Sequence, residues 1–295
     1  MRRFRILHLT TYTYTGAVQL GAHILRLRPR EGHDVRIETS TLTIQPAATL
    51  RWHRDVEDNC LATASFHGTT DRLRIESSLV IQHYDRVPLD FLVEVDAVAY
   101  PFRYAPNDRP LLDAYRDAAP AQAAAPSVCS LARWVATVWQ PGEAIESYAL
   151  LKRLNRSVHQ LVTYRQRDEP GVQSAADTLS LGCGSCRDIA FLFMEAARVL
   201  GFAARFVSGY SFTSQRPEES GSTHAWAEVF LPGAGWKGFD PTLGALVGDT
   251  HIPVAVARRP EAIPPIAGSF RGAPLGAMEV GVWVTELQVG PAPGL

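Results

Sequence analysis

Gly182-Cys183-Gly184-Ser185-Cys186-Arg187-Asp188-Ile189-Ala190-Phe191 sets two of the chain's four cysteines three apart, just where an apolar run begins. Ile189, Phe193, Ala196 and Leu200 recur at helical spacing and Gly201 supplies a stop, so the pattern predicts a buried helix over about residues 186–200. Gly184 and Ser185 suit the tight entry turn. Cys186 then stands at the helix N-terminus, where unpaired N–H groups and the positive end of the helix dipole favour a thiolate. Three other readings compete. Cys183 to Cys186 has the shape of a dithiol redox motif, and a free cysteine can simply fill core space. A metal site drawn from Cys183, Cys186, His224 and His251 lacks the second closely spaced ligand pair that zinc sites of this type carry.

The redox reading requires no downstream histidine or aspartate, and both are present. Thr223-His224-Ala225-Trp226-Ala227-Glu228-Val229-Phe230 reads as a strand opened by a histidine. After Pro232-Gly233-Ala234-Gly235 comes Trp236-Lys237-Gly238-Phe239-Asp240-Pro241-Thr242, and two strands joined by a Pro/Gly turn pair antiparallel. His224 and Asp240 are an even number of residues apart, so directly opposed they project from one sheet face. A four-residue loop at 232–235 pairs Asp240 with Ala227 instead, which predicts a longer loop or a bulge that shifts the register. In that register Cys186 attacks a carbonyl carbon, His224 takes and returns the proton, and Asp240 holds the imidazole. The oxyanion faces the Cys186 N–H and a second donor, for which Tyr164 is the candidate. Glu228 shares the parity of His224 and competes as orienter. Asp188 is read as complementing the helix N-terminus, and Trp226 and Trp236 as packing residues.

Before this segment the first hundred residues alternate with a period of two. Leu25 and Leu27 share one face and Arg26 and Arg28 the other; similar stretches are Val35 to Ile44 and Leu73 to Ile81, with turns at 54–59 and 67–70. That pattern predicts an antiparallel β-sandwich over 1–105. Pro101, Pro106, Pro110 and the Ala/Pro-rich stretch from Ala118 to Pro126 predict a linker and helical connection over 106–143. Leu150, Leu151, Leu154, Val158 and Leu161 give one apolar helical face within 144–161, and Ser174 with Asp177 resembles a capping box for a short helix ending near Gly182. Strand patterning returns at 204–212, 225–231, 236–240 and 280–287, so 144–295 is expected to be a mixed second domain and the chain α+β.

The chain has 295 residues, 46% hydrophobic and 20% charged, enough to bury a sizeable core in two domains. A net charge of −1 and a pI near 6.8 give no bulk attraction to nucleic acid or anionic lipid. Met1 to Thr10 is basic, but no apolar stretch long enough for a signal peptide follows. The run Ile189 to Met194 is broken by Glu195 and Arg198, far short of the ~20 residues of a bilayer span. Cysteines at 60, 129, 183 and 186 are too sparse for a disulfide scaffold. A soluble, cytoplasmic protein is expected, with a peptide or protein substrate, no nucleic-acid or membrane partner and no cofactor.

Gly184-Ser185-Cys186-Arg187-Asp188, Ser208-Gly209-Tyr210, His224-Ala225-Trp226-Ala227-Glu228-Val229 and Gly238-Phe239-Asp240-Pro241-Thr242 together resemble the core of the bacterial transglutaminase-like superfamily, in order over roughly residues 145–245. The front, through Tyr14 to Arg30 and the Asp55 to Asn59 turn, is similar to the β-rich N-terminal domain that often precedes this core in bacteria. The tail departs: relatives tend to show Arg-Asp-Tyr before paired prolines, where this chain has Arg258-Arg259-Pro260. The resemblance implies a papain-like α+β core whose Cys186, His224 and Asp240 serve as nucleophile, base and orienter in amide chemistry, either transamidation or proteolysis. A non-catalytic binding module with a relic site is the alternative of a different class.

Overall fold

The computed structural model describes residues 1–84, 89–117, 125–167, 169–212 and 223–288, with 125–130 described by backbone alone; most of the Ala/Pro-rich stretch from Ala118 to Pro126 lies outside them. The front of the chain forms β1 (Arg2–Leu20), β2 (His23–Leu25), β3 (Val35–Gln45), β4 (Ala48–Arg54), β5 (Cys60–Phe66) and β6 (Thr70–His83). β6 lies between β1 and β3, all antiparallel, while β5 lies between β2 and β4 in a second sheet. Strict alternation in β6 buries Leu73, Ile75, Leu79 and Ile81 on one face. That face is used twice. Leu73 and Ile75, with Tyr14, Val18 and Leu20 of β1, pack against Leu25, Ala62 and Ala64 of the second sheet. Leu79 and Ile81, with Phe4 and Ile6, pack instead on the C-terminal half of the chain.

That half begins earlier than 144. α1 (Val95–Val98) leads into β7 (Ala99–Tyr100), and α2 (Arg109–Arg116) and α3 (Ala125–Val138) follow. β7 pairs with β8 (Ile145–Glu146), and Leu131, Val135 and Val138 of α3 join the core built on α4 (Ser147–Leu161). The expected linker thus has helices packed on the core, because its apolar positions have a face to cover. β9 (Thr163–Tyr164), α5 (Ala175–Leu181), β10 (Cys183–Gly184) and α6 (Cys186–Val199) come next, with β9 and β10 parallel. Ser174 caps α5 through the Asp177 N–H, as its sequence predicts.

α6 is buried on every side from Asp188 to Arg198, including the two charged residues that interrupt its apolar run. Glu195 and Arg198 pair at 2.8 Å, and Arg198 also donates to the carbonyls of Tyr115, Ala204 and Arg258. Leu192, Phe193 and Met194 are fully covered, each contributing about 1.5–3 kcal/mol relative to exposure. Behind the helix stands a sheet in the order β14 (Ala245–Leu246), β13 (Gly235–Asp240), β12 (His224–Leu231), β11 (Ala204–Ser211) and β15 (His251–Ala257). The last of these has no counterpart in the sequence reading, since Pro253 argues against a strand. It is tolerated because β15 is an edge strand and the ladder to β11 shifts register there. Ile252 and Val254 face the front of the chain and join Phe4, Ile6, Leu79 and Ile81 in one cluster with Tyr210.

After a short 3₁₀ turn at Pro260–Ala262, the tail differs from the expected second domain. β16 (Ile266–Ala267) extends the second N-terminal sheet beside β2, and β17 (Phe270–Gly272) and β18 (Leu275–Glu286) pair antiparallel with β1. The domains are not consecutive stretches: the tail completes the sheets that the first residues begin. The physical reason is that β1 carries buried side chains along most of its length and needs a neighbour on both edges. No helix among the described residues is long and apolar enough to cross a membrane.

Candidate active site

The thiol is placed by what precedes it. Asp188 has no exposure, and its carboxylate accepts from the Ser185 N–H and hydroxyl, the Gln173 N–H and, through both oxygens, the Arg167 guanidinium. Burial works against the charge, but these donors outweigh it and hold the carboxyl below its usual range. Ser185 and Asp188 form a capping box, so α6 starts at Cys186 with little freedom. Gly184 is required beside it, because a Cβ there would stand 2.9 Å from Asp188 Cβ. Asp188 therefore serves as the anchor of the helix start. Cys186 is half-buried, with Sγ 4.0 Å from the carbonyl of Thr223, the residue before His224.

The other two partners meet without the register shift that the sequence suggests. β12 and β13 pair regularly from Ala227↔Phe239 to Leu231↔Gly235, which leaves a turn of only 232–234. Gly233 and Gly235 at φ 81° and 73° make this turn feasible. One step past the last pair, Asp240 falls across from Trp226, two residues from His224 on the same face. Diagonal cross-strand neighbours are within reach of long side chains. His224 Nε2 lies 2.7 Å from Asp240 Oδ2, so neither the longer loop nor the bulge is needed.

With Nε2 engaged, Nδ1 is the ring nitrogen left for the thiol. Burial disfavours the imidazolium of His224, but the hydrogen bond to Asp240, then that to Cys186, and their charges push it up to about 10. Asp240 is fully buried and works in the opposite sense: burial would raise it, while His224 and a second histidine, His251, hold it well below the usual carboxylate range. His251 Nε2 lies 3.0 Å from the same Oδ2. Oδ1 accepts from the Thr242 and Leu243 N–H groups. Every acceptor position of Asp240 is thus used.

The remaining candidates fall elsewhere. Glu228 is held by Arg205 at 2.7 Å and does not orient His224. Trp226 is fully buried, and Arg205 stacks on Trp236 at 4.1 Å, so both indoles pack. Tyr164, half exposed on β9, is pushed up by burial and then by the charge of Cys186. Cys183 sits in β10, ahead of the helix. Among the described residues, His224, Asp240 and His251 are the group whose ligand atoms lie within 4.8 Å of one another, so a metal could be held there rather than by Cys183 and Cys186. The sequence reading named His251 only as a zinc candidate and missed its place on Asp240.

Residues 134–241 match the transglutaminase-like superfamily, and residues 4–82 match the bacterial transglutaminase-like N-terminal region. The chain thus carries a transglutaminase-like core behind a bacterial transglutaminase-like N-terminal region. The transglutaminase-like core holds all three residues of the thiol, imidazole and carboxylate set. Across nearly its whole length the chain is similar in fold to the crystal structure of a candidate cysteine protease from Cytophaga hutchinsonii. The TM-score is 0.69 at 20% identity, covering 99% of this chain and 93% of that one. It is also 28% identical over 291 residues to the uncharacterised protein Rv2569c of Mycobacterium tuberculosis, covering 90% of this chain and 87% of the relative.

Proposed function

We propose that the chain is a thiol acyl-transfer enzyme acting on amide bonds of peptides or proteins, with Cys186 as nucleophile. The observation that carries this reading is a thiol at a helix start, hydrogen-bonded to the His224 ring, which has a buried carboxylate 2.7 Å behind it. Cys186 attacks the amide carbonyl carbon as thiolate, with the proton on His224 Nδ1. The carbonyl electrons move to oxygen, where the Cys186 N–H and the Tyr164 hydroxyl are the proposed donors. Collapse expels the amine, which takes the proton from His224, and leaves a thioester on Cys186. Water then gives an acid, and the enzyme is a protease or amidase; a primary amine gives a new amide, and it is a transglutaminase.

Asp240 keeps the imidazole in the orientation that presents Nδ1 to sulfur. A dithiol oxidoreductase fits less well, because Cys183 lies in a strand before the turn and gains nothing from the helix dipole. The sparse cysteines, of which Cys60, Cys183 and Cys186 are free among the described residues, support a reducing compartment, and a cytoplasmic location is proposed with it.

Incubation with a peptide library, with and without a primary amine, followed by mass analysis of products, tests the reading. Hydrolysed or amine-adducted peptides that vanish in Cys186→Ala are expected. A library left unchanged at every condition would favour a binding module with a relic site.

A further inference from the structure

His251 is 3% exposed and is spent entirely on hydrogen bonds, yet the three-residue chemistry above gives it no part. Its Nε2 reaches the Asp240 oxygen that His224 also uses. Its Nδ1 receives a long contact, 3.5 Å, from the Gly248 N–H and lies 3.2 Å from the Thr250 hydroxyl. An amide N–H can only donate, so Nδ1 accepts and Nε2 carries the hydrogen toward Asp240. The backbone is held as well: the His251 carbonyl accepts from His83 Nε2 of β6 at 3.0 Å. A strand of the N-terminal region thereby fixes the strand that carries the second histidine.

We infer that His251 is a positioning residue for the reaction: by donating a second imidazole hydrogen bond to Asp240 Oδ2 it fixes the carboxylate and shares its charge with His224. The inference rests on the acyl-transfer reading of the site. A carboxylate that spends half of one oxygen on His251 pulls less on the His224 proton, which leaves His224 able to release it to the departing amine. The opposite arrangement, an unshared buried carboxylate, would hold the imidazolium too firmly to act as an acid. The other ionisable groups around the cavity of about 130 Å³ that His251 lines are His33, Asp34, His83, Tyr148, Glu228 and Lys237. Glu228 is engaged by Arg205.

The test follows the rate of Cys186 alkylation by iodoacetamide against pH, read by mass spectrometry in a Cys183→Ser background of the full chain. His224→Gln defines the reference, since it should replace the parent's profile with that of an ordinary thiol, a single rise at about pH 8.5. His251→Phe should move the parent's alkaline inflection to higher pH and slow peptide acyl transfer about tenfold with KM little changed. His251→Gln, which keeps an N–H donor at the same reach, should return both toward the parent. A folded His251→Phe variant with the parent's inflection overturns the inference while leaving the acyl-transfer reading intact. A His224→Gln profile identical to the parent's defeats that reading and the inference with it. Should the Phe variant not fold, imidazole ¹⁵N resonances of the parent chain decide: a proton on His251 Nε2 whose resonance moves as His224 titrates supports the role, and a proton on Nδ1 overturns it.

Discussion

Asp240 has no contact with solvent, and its charge is stable there only because four donors converge on it, two backbone N–H groups and two imidazoles. Its neighbour His224 and the distant His8 give stability opposite dependences on pH. His224 is raised from 6.5 to about 10, so its contribution is complete below 6.5 and is lost as pH climbs toward 10. His8, buried between Tyr210 and Thr10, is lowered by burial to about 4, so its contribution is complete above 6.5 and is lost as pH falls toward 4. Thermal midpoints measured across this range are expected to peak near pH 6.5, and His224→Gln should flatten the alkaline side alone. At this scale Cys186, His224 and Asp240 were legible, because residue type and strand parity bring them forward. The diagonal contact was not: parity says which face a side chain uses, while its reach along the strand depends on a turn one residue shorter than the minimum assumed.

Among the elements, α6 and its entry decide where the thiol points. Ser174, Asp177, Ser185 and Gly201 announce the two helices from sequence alone, each by a local hydrogen bond or by a stop that needs no distant partner. The role of Asp188 as an anchor for Arg167 and Gln173 was hidden, since they approach from 21 and 15 residues away in a segment that carries no periodic signal. Replacing Gly184 by Ala would force Asp188 from its place. We expect a loss of about 1–2 kcal/mol in urea unfolding, together with slower alkylation of Cys186. β15 stayed unread for a different reason. Its proline is forbidden in a central strand and harmless at an edge, and edge position is a property of the assembled sheet.

For the molecule as a whole, the division into an N-terminal sheet region, a linker and a second domain reads the chain as a succession of beads, and the structure closes it as a loop. Composition and period reveal strands but not which strand each one pairs with, so β18 looked like part of the domain it follows. Cutting the chain after residue 265 would strip β16, β17 and β18 from the two N-terminal sheets and expose Phe4 and Ile6 beside the missing Val282. Two large apolar side chains at about 1.5–3 kcal/mol each, and about 2–4 °C per kcal/mol for a chain of this order, predict a midpoint lowered by about 10 °C. Calorimetry of the shortened chain checks it, and because β15 packs on the same cluster, the loss should reach Cys186 alkylation too.

Phe4 faces Glu286 across the ladder, and the Leu287 N–H donates to the Arg3 carbonyl. On the ribosome, therefore, β1 must wait for residues 275–286 to be delivered before its outer margin is covered. Until then a bare hydrogen-bonding edge stays open to any passing strand. A thiol whose surroundings lean on that sheet comes into working order only after β18 has emerged, so the sulfur is made well before the scaffold that readies it.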